Sequence, residues 1–168
     1  LRPIRGEWLP AQSWPLDPIQ AAVLDTGELL TFSSAIASGP GTLPISDPHA
    51  STVGDLFDPI TEVHTSADHP SEELYGAGLA RLSNGEVLAV GGYAGRTASA
   101  APLGADQLSR FDSVSKTWIP SAAPGAARHG AAGLTLGDGS FLAIGGAEAG
   151  AIATVPARYD GISWSNLS

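Results

Sequence analysis

Short apolar runs alternate with turn residues along the whole chain. Ala21-Ala22-Val23-Leu24 leads through Asp25-Thr26-Gly27-Glu28 into Leu29-Leu30-Thr31-Phe32, and the stretches Ala77 to Gly92 and Ala131 to Gly146 repeat that order. Their turns are Ser83-Asn84-Gly85-Glu86 and Gly137-Asp138-Gly139-Ser140. A glycine after a small polar residue supplies the positive φ of a tight hairpin turn, so three β-hairpins are predicted. Gly27, Gly85 and Gly139 are 58 and 54 residues apart, and the pairs Gly91-Gly92 and Gly145-Gly146 are again 54 apart. A recurrence near ~50 residues marks a repeat architecture.

The second half of each unit repeats too. Leu56-Phe57-Asp58, Arg110-Phe111-Asp112 and Arg158-Tyr159-Asp160 each end a strand in an aromatic and a turn-forming aspartate. A further short strand follows, carrying Glu62-Val63-His64, Lys116-Thr117-Trp118-Ile119-Pro120 or Ile162-Ser163-Trp164. No segment carries apolar residues at helical spacing. Four short antiparallel strands per unit describe the blade of a β-propeller, an all-β fold. The first strand of each unit is built of small residues, as at Gly76-Ala77-Gly78-Leu79-Ala80 and Gly130-Ala131-Ala132-Gly133, which suits the crowded axis of such a ring. Phe57, Phe111, Tyr159, Trp118 and Trp164 fall on later strands, where neighbouring sheets diverge and volume must be filled.

The expected organisation is a partial propeller over 1–168, with blades at 19–66, 75–121 and 129–167. Gly6-Glu7-Trp8-Leu9-Pro10 matches the fourth strand of a unit whose first three strands are missing, so 6–10 reads as the outer strand of a preceding blade. Closed propellers have ~4 to 8 blades, and three leave apolar flanks exposed. The expected partners are therefore other propeller blades, from another chain or from a remainder of the same polypeptide. A chain that starts at Leu1 and has no methionine is expected to be a processed product, a trimmed stretch or part of something longer.

Composition narrows the function. The 168 residues hold 17 acidic and 8 basic side chains, a net charge of −9, with Lys116 the sole lysine. Such a surface does not displace counterions from phosphates, so no nucleic-acid partner is expected. No run approaches the ~18 to 20 apolar residues of a spanning helix, so no membrane insertion is expected. Zero cysteines exclude disulfides, thiolate metal sites and a cysteine nucleophile.

The Gly-Gly pairs, the Phe/Tyr-Asp ends, Trp118 and Ala127-Arg128 resemble kelch repeats. More narrowly, the chain resembles the propeller domain of the galactose oxidase and glyoxal oxidase family. The resemblance rests on Gly54-Asp55-Leu56-Phe57-Asp58-Pro59-Ile60-Thr61, Leu74-Tyr75-Gly76-Ala77-Gly78 and Ala126-Ala127-Arg128-His129-Gly130. It implies a copper site and a radical cofactor made from a cross-linked cysteine and tyrosine. By the same resemblance Gly76 stands at the cysteine position, Gly130 at the tyrosine position, and Glu148 where a stacking tryptophan would lie. The remaining copper ligands would belong to blades outside these residues. No cofactor and no metal are therefore expected, and the balance leans away from an enzyme.

Four histidines, His49, His64, His69 and His129, lack metal-type spacing. Arg128 and His129 precede an innermost strand at the rim where propellers present ligands. Either they serve a ligand, or Arg128 bridges neighbouring blades while His129 caps a strand. Asp68, Glu72 and Glu73 cluster before another inner strand, as a cation or acid/base group or as a solvated loop. The long connection from Ser33 to Val53 is a candidate contact surface. The expected function is a non-catalytic binding or structural module with Tyr75, Arg128, His129 and Glu148 as candidate ligand-binding residues. The alternative is part of a secreted oxidase whose catalytic residues lie outside this chain. A glycan is a further candidate ligand, and an extracellular or cell-envelope location fits the acidic balance and the resemblance.

Overall fold

In a computed structural model, residues 13–16, 18, 20–34, 52–67, 73–96 and 102–167 are described. The strand expected at 6–10, His49, Asp68, His69, Glu72 and the middle of the 33–53 connection lie outside them. The described residues form β-strands and turns without a helix. The first sheet holds β1 (Gln20–Val23), β2 (Leu29–Ser34), β3 (Thr52–Asp58) and β4 (Val63–Ser66) in that order, all antiparallel.

The second sheet starts with β5 (Gly78–Arg81) and β6 (Val87–Val90). A two-stranded ribbon of β7 (Tyr93–Arg96) and β8 (Pro102–Gly104) then stands apart before β9 (Leu108–Asp112) and β10 (Thr117–Ser121) complete the sheet. The third sheet runs through β11 (His129–Thr135), β12 (Phe141–Glu148), β14 (Ala157–Tyr159) and β15 (Trp164–Asn166). A short β13 (Ala151–Ile152) folds back on the end of β12. The ribbon and β13 have no counterpart in the sequence reading. The four-stranded sheets are the propeller blades, numbered one to three here.

Local chemistry explains each turn. Gly27, Gly85 and Gly139 sit at φ 86°, 89° and 85°, the left-handed conformation expected of them. At the β3–β4, β9–β10 and β14–β15 turns, Asp58, Asp112 and Asp160 each accept through Oδ1 from the backbone N–H two residues on, at 2.8, 2.8 and 2.9 Å. These bonds do locally what a backbone carbonyl does in a regular turn.

The inner strands β1, β5 and β11 lie side by side. They approach so closely that a Cβ on residue 133 would stand 2.7 Å from the Leu79 backbone, which is why small residues line this edge. Core volume sits further out, in two layers. Between blades one and two are Leu30, Phe32 and Leu56 against Val87, Phe111 and Trp118. Between blades two and three are Leu88, Val90 and Leu108 against Phe141, Ala143 and Tyr159. Trp118 meets Phe32 and Phe111 edge-on at 5.6 and 5.3 Å between ring centroids. The expected outward placement of bulk is what separates the diverging sheets.

Candidate functional site

The rim site grows from two backbone features that meet. Gly76, in the turn before β5, and Gly130, in β11, both have φ 72°. The Gly130 N–H donates to the Gly76 carbonyl at 2.7 Å, which ties the entry of blade two to the entry of blade three. Residues 54 apart in sequence are thereby brought into contact at one end of the inner strands.

Side chains gather around that contact. The His129 ring lies 5.7 Å from the Tyr75 ring, tilted by 34°, and 5.9 Å from the Tyr93 ring, nearly edge-on at 66°. Tyr75 and Tyr93 meet at right angles, 6.3 Å apart. Glu73 braces both tyrosines: its Oε1 accepts from the Tyr75 N–H at 2.9 Å and its carbonyl accepts from the Tyr93 N–H at 3.2 Å. Gln107 Nε2 bonds the same Glu73 carbonyl and the Gly91 carbonyl, each at 3.0 Å. Tyr93 opens the β7–β8 ribbon, and no sequence signal marked it as a member of this cluster.

Arg128 and Glu148 have other engagements. Arg128 is 2% exposed, with Nη1 donating to the Gly145 carbonyl at 2.8 Å and Nη2 to the Val155 carbonyl at 2.7 Å. Its own N–H reaches the Ala105 carbonyl at 3.1 Å, and its carbonyl accepts from the Gly92 N–H at 2.9 Å. The backbone is pinned in blade two and the side chain in blade three, the bridging arrangement. Burial draws the guanidinium below its ordinary pKa, yet an arginine remains a cation at neutral pH. Glu148 accepts from the Gly104 N–H at 2.8 Å, stapling β8 to the end of β12. Of the four sequence candidates, Tyr75 and His129 share the cluster, while Arg128 and Glu148 hold blades together beside it.

Among the described residues no group of three or more histidine, cysteine, aspartate or glutamate side chains could hold a metal. The copper-radical cofactor implied by the resemblance does not fit the residues present. By that resemblance its two covalent partners would fall on Gly76 and Gly130, neither of which carries a side chain, and the space above Gly76 holds the His129 ring. A Cβ on residue 76 would stand 2.8 Å from His129 Nε2.

Three four-stranded blades around a close-packed inner edge, meeting at this rim, are the build of a kelch-type β-propeller, and the likeness is to galactose oxidases. Two galactose oxidases of Gibberella zeae are each 27% identical to the chain over 159 residues, covering 90% of it. The chain spans only 21% of their length. A fungal alcohol oxidase of the AA5 family, solved in complex with copper, superposes with a TM-score of 0.71 at 23% identity, over 95% of this chain and 32% of that one. No protein-family profile matches the chain.

Proposed function

We propose that this chain is a non-catalytic propeller segment that joins further blades and presents its rim to a ligand, outside the cell or in its envelope. The observation that carries the reading is the backbone bond between Gly76 and Gly130, at 2.7 Å, with His129 lying over it. Radical oxidation of an alcohol by this family's chemistry needs a thiol and a phenol at those two positions. Neither glycine can supply one. Tyr75 and its neighbours offer instead aromatic faces beside hydrogen-bonding groups, a combination suited to a glycan.

The flanks support the further blades of this reading. Val90 on blade two is fully buried against blade three, whereas Ile144, in the same register position of blade three, is 38% exposed. Leu134 beside it is 48% exposed. An apolar sheet face of this kind is covered in a stable assembly.

The rival reading, part of an oxidase with its catalytic residues elsewhere, draws on the names of the relatives. Copper titration and peroxide release from galactose and simple primary alcohols separate the two, using the longest polypeptide that contains this chain. No stoichiometric copper and no peroxide is the expected result. A copper-loaded, peroxide-producing sample would overturn the proposal. Glycan-array binding that is lost in Tyr75→Ala would support the ligand-presenting role.

A further inference from the structure

The centre of the rim cluster is filled from within the chain. A methyl group on residue 76 would stand 2.8 Å from His129 Nε2 and 2.9 Å from Cδ2, closer than carbon approaches either atom. The imidazole and a residue-76 side chain therefore compete for one volume. The ring is flanked by Tyr75, whose plane is tilted 34° from it, and by Tyr93, at 66°. All three residues are fixed at the backbone: Tyr75 and Tyr93 through Glu73, and His129 through its pairing with Ala147 and the next residue's bond to Gly76. With its Cα held, the ring leaves this place only by turning about its own side-chain bonds.

We propose that His129 is a built-in occupant of an aromatic slot formed by Tyr75, Tyr93 and the bare backbone of Gly76, and that the slot without its ring binds a free planar azole. Two phenol rings about 6 Å from the imidazole supply tilted and edge-on contacts of the kind that favour a flat heteroaromatic over an aliphatic group of equal size. Any ligand that reaches down to Gly76 has to displace the imidazole first. The inference deepens the rim reading given above, and its test reads thermal stability rather than copper, so the two fail separately.

The test uses His129→Ala, Gly76→Ala and the double variant, with free imidazole as the probe. The alanine keeps the Cβ, so imidazole is the missing fragment. His129→Ala is expected to melt lower than the parent, and added imidazole to raise its melting temperature progressively while leaving the parent unchanged. Tetrahydrofuran, neutral and similar in size but not aromatic, is expected to have no such effect. Gly76→Ala suffers left-handed strain in either background, but it meets the ring only when His129 is present. Its loss is therefore expected to be smaller in the His129→Ala background. Additive losses together with no response to imidazole would overturn the proposal. If Gly76→Ala fails to fold, the imidazole response of His129→Ala decides alone.

Discussion

Arg128→Met tests whether the guanidinium is a structural pin or a group held ready for a ligand. The side chain is 2% exposed and donates to two carbonyls, Gly145 at 2.8 Å and Val155 at 2.7 Å. Among the described residues no carboxylate forms an ion pair with it. A hydrogen bond from a charged donor contributes about 1.5–3 kcal/mol, so the two together are worth about 3–6 kcal/mol. Methionine matches the length and apolar stem but leaves both carbonyls without that donor. Against this, the substitution recovers the cost of burying a cation, the same burial that draws the guanidinium's pKa down. The net loss should sit near the lower end, about 3 kcal/mol, a large share of the ~5–15 kcal/mol that holds a typical domain folded. Urea denaturation measures it as a lower midpoint at unchanged slope. Arg128→Lys should fall between, because an ammonium keeps the charge but lacks the planar fork that reaches two carbonyls at once. A methionine variant within about 0.5 kcal/mol of the parent, the range of an ordinary surface change, would refute the pinning role.

Gly27→Ala and Gly91→Ala both place a Cβ at left-handed φ, 86° and 73°. Around Gly27 there is open space, so thermal melts should show only the strain of about 1–2 kcal/mol, whereas at Gly91 the new carbon runs into the Arg128 carbonyl and the loss should be larger. Trp118→Ala should cost about 3–5 kcal/mol, because the ring is 5% exposed between Phe32 and Phe111, while Ile60→Ser, at 91% exposure, should be near neutral in the same assay. In acid, Asp138 is held down to about 2 by the Ser140 hydroxyl and N–H and then by Arg158, from an ordinary 3.8. Asp58, Asp112 and Asp160 are lowered chiefly by turn N–H groups, from Ile60, Val114 and Ser163 respectively. A carboxylate with a depressed folded-state pKa stabilises above its unfolded value and loses that contribution as pH falls through the folded one. These four should leave the melting temperature flat from pH 7 to 5 and lower it between about pH 4 and 2, and Asp138→Asn should remove the most acidic part of the fall.

What the sequence made legible was whatever repeats locally. The hairpin glycines, the Asp58, Asp112 and Asp160 turns and the aromatic outer strands each follow from residues within a few positions of one another. The rim was legible only in part. The motifs around Gly76 and Gly130 point to Tyr75 and His129 but not to Tyr93, because its contact with His129 joins residues 36 positions apart through the β7–β8 ribbon, which has no alternating pattern to announce it. Glu148 showed as a candidate by position alone, and its partner is a backbone N–H of Gly104, which no side-chain pattern can signal. Trp14 was likewise silent, yet its ring lies 4.8 Å from Phe57 and 4.7 Å from His64, and its Nε1–H points at the Thr31 hydroxyl at 3.4 Å.

That last contact explains why blade one is not a copy of the other two. In register, Thr31, Asp55, Phe57 and His64 occupy the places of Ala89, Ser109, Phe111 and Trp118 in blade two and of Ala143, Ala157, Tyr159 and Trp164 in blade three. On blades two and three this face is apolar apart from the small Ser109 and lies against the preceding blade. On blade one it carries a hydrogen bond between His64 Nδ1 and Asp55 Oδ2 at 2.7 Å, with Asp55 only 3% exposed. A polar side chain so deeply placed is tolerable only with a bonded partner, and the histidine provides it while its ring keeps the aromatic contact that tryptophan makes elsewhere. Trp14 then supplies the missing indole from outside the sheet. The opposite flank, on blade three, keeps the apolar pattern through Leu134, Leu142 and Ile144, with Arg158 turned aside to Asp138 and Ser140. The two ends of this three-blade stack are therefore chemically unlike: one carries the Asp55–His64 pair beneath Trp14, the other leaves Leu134 and Ile144 partly exposed.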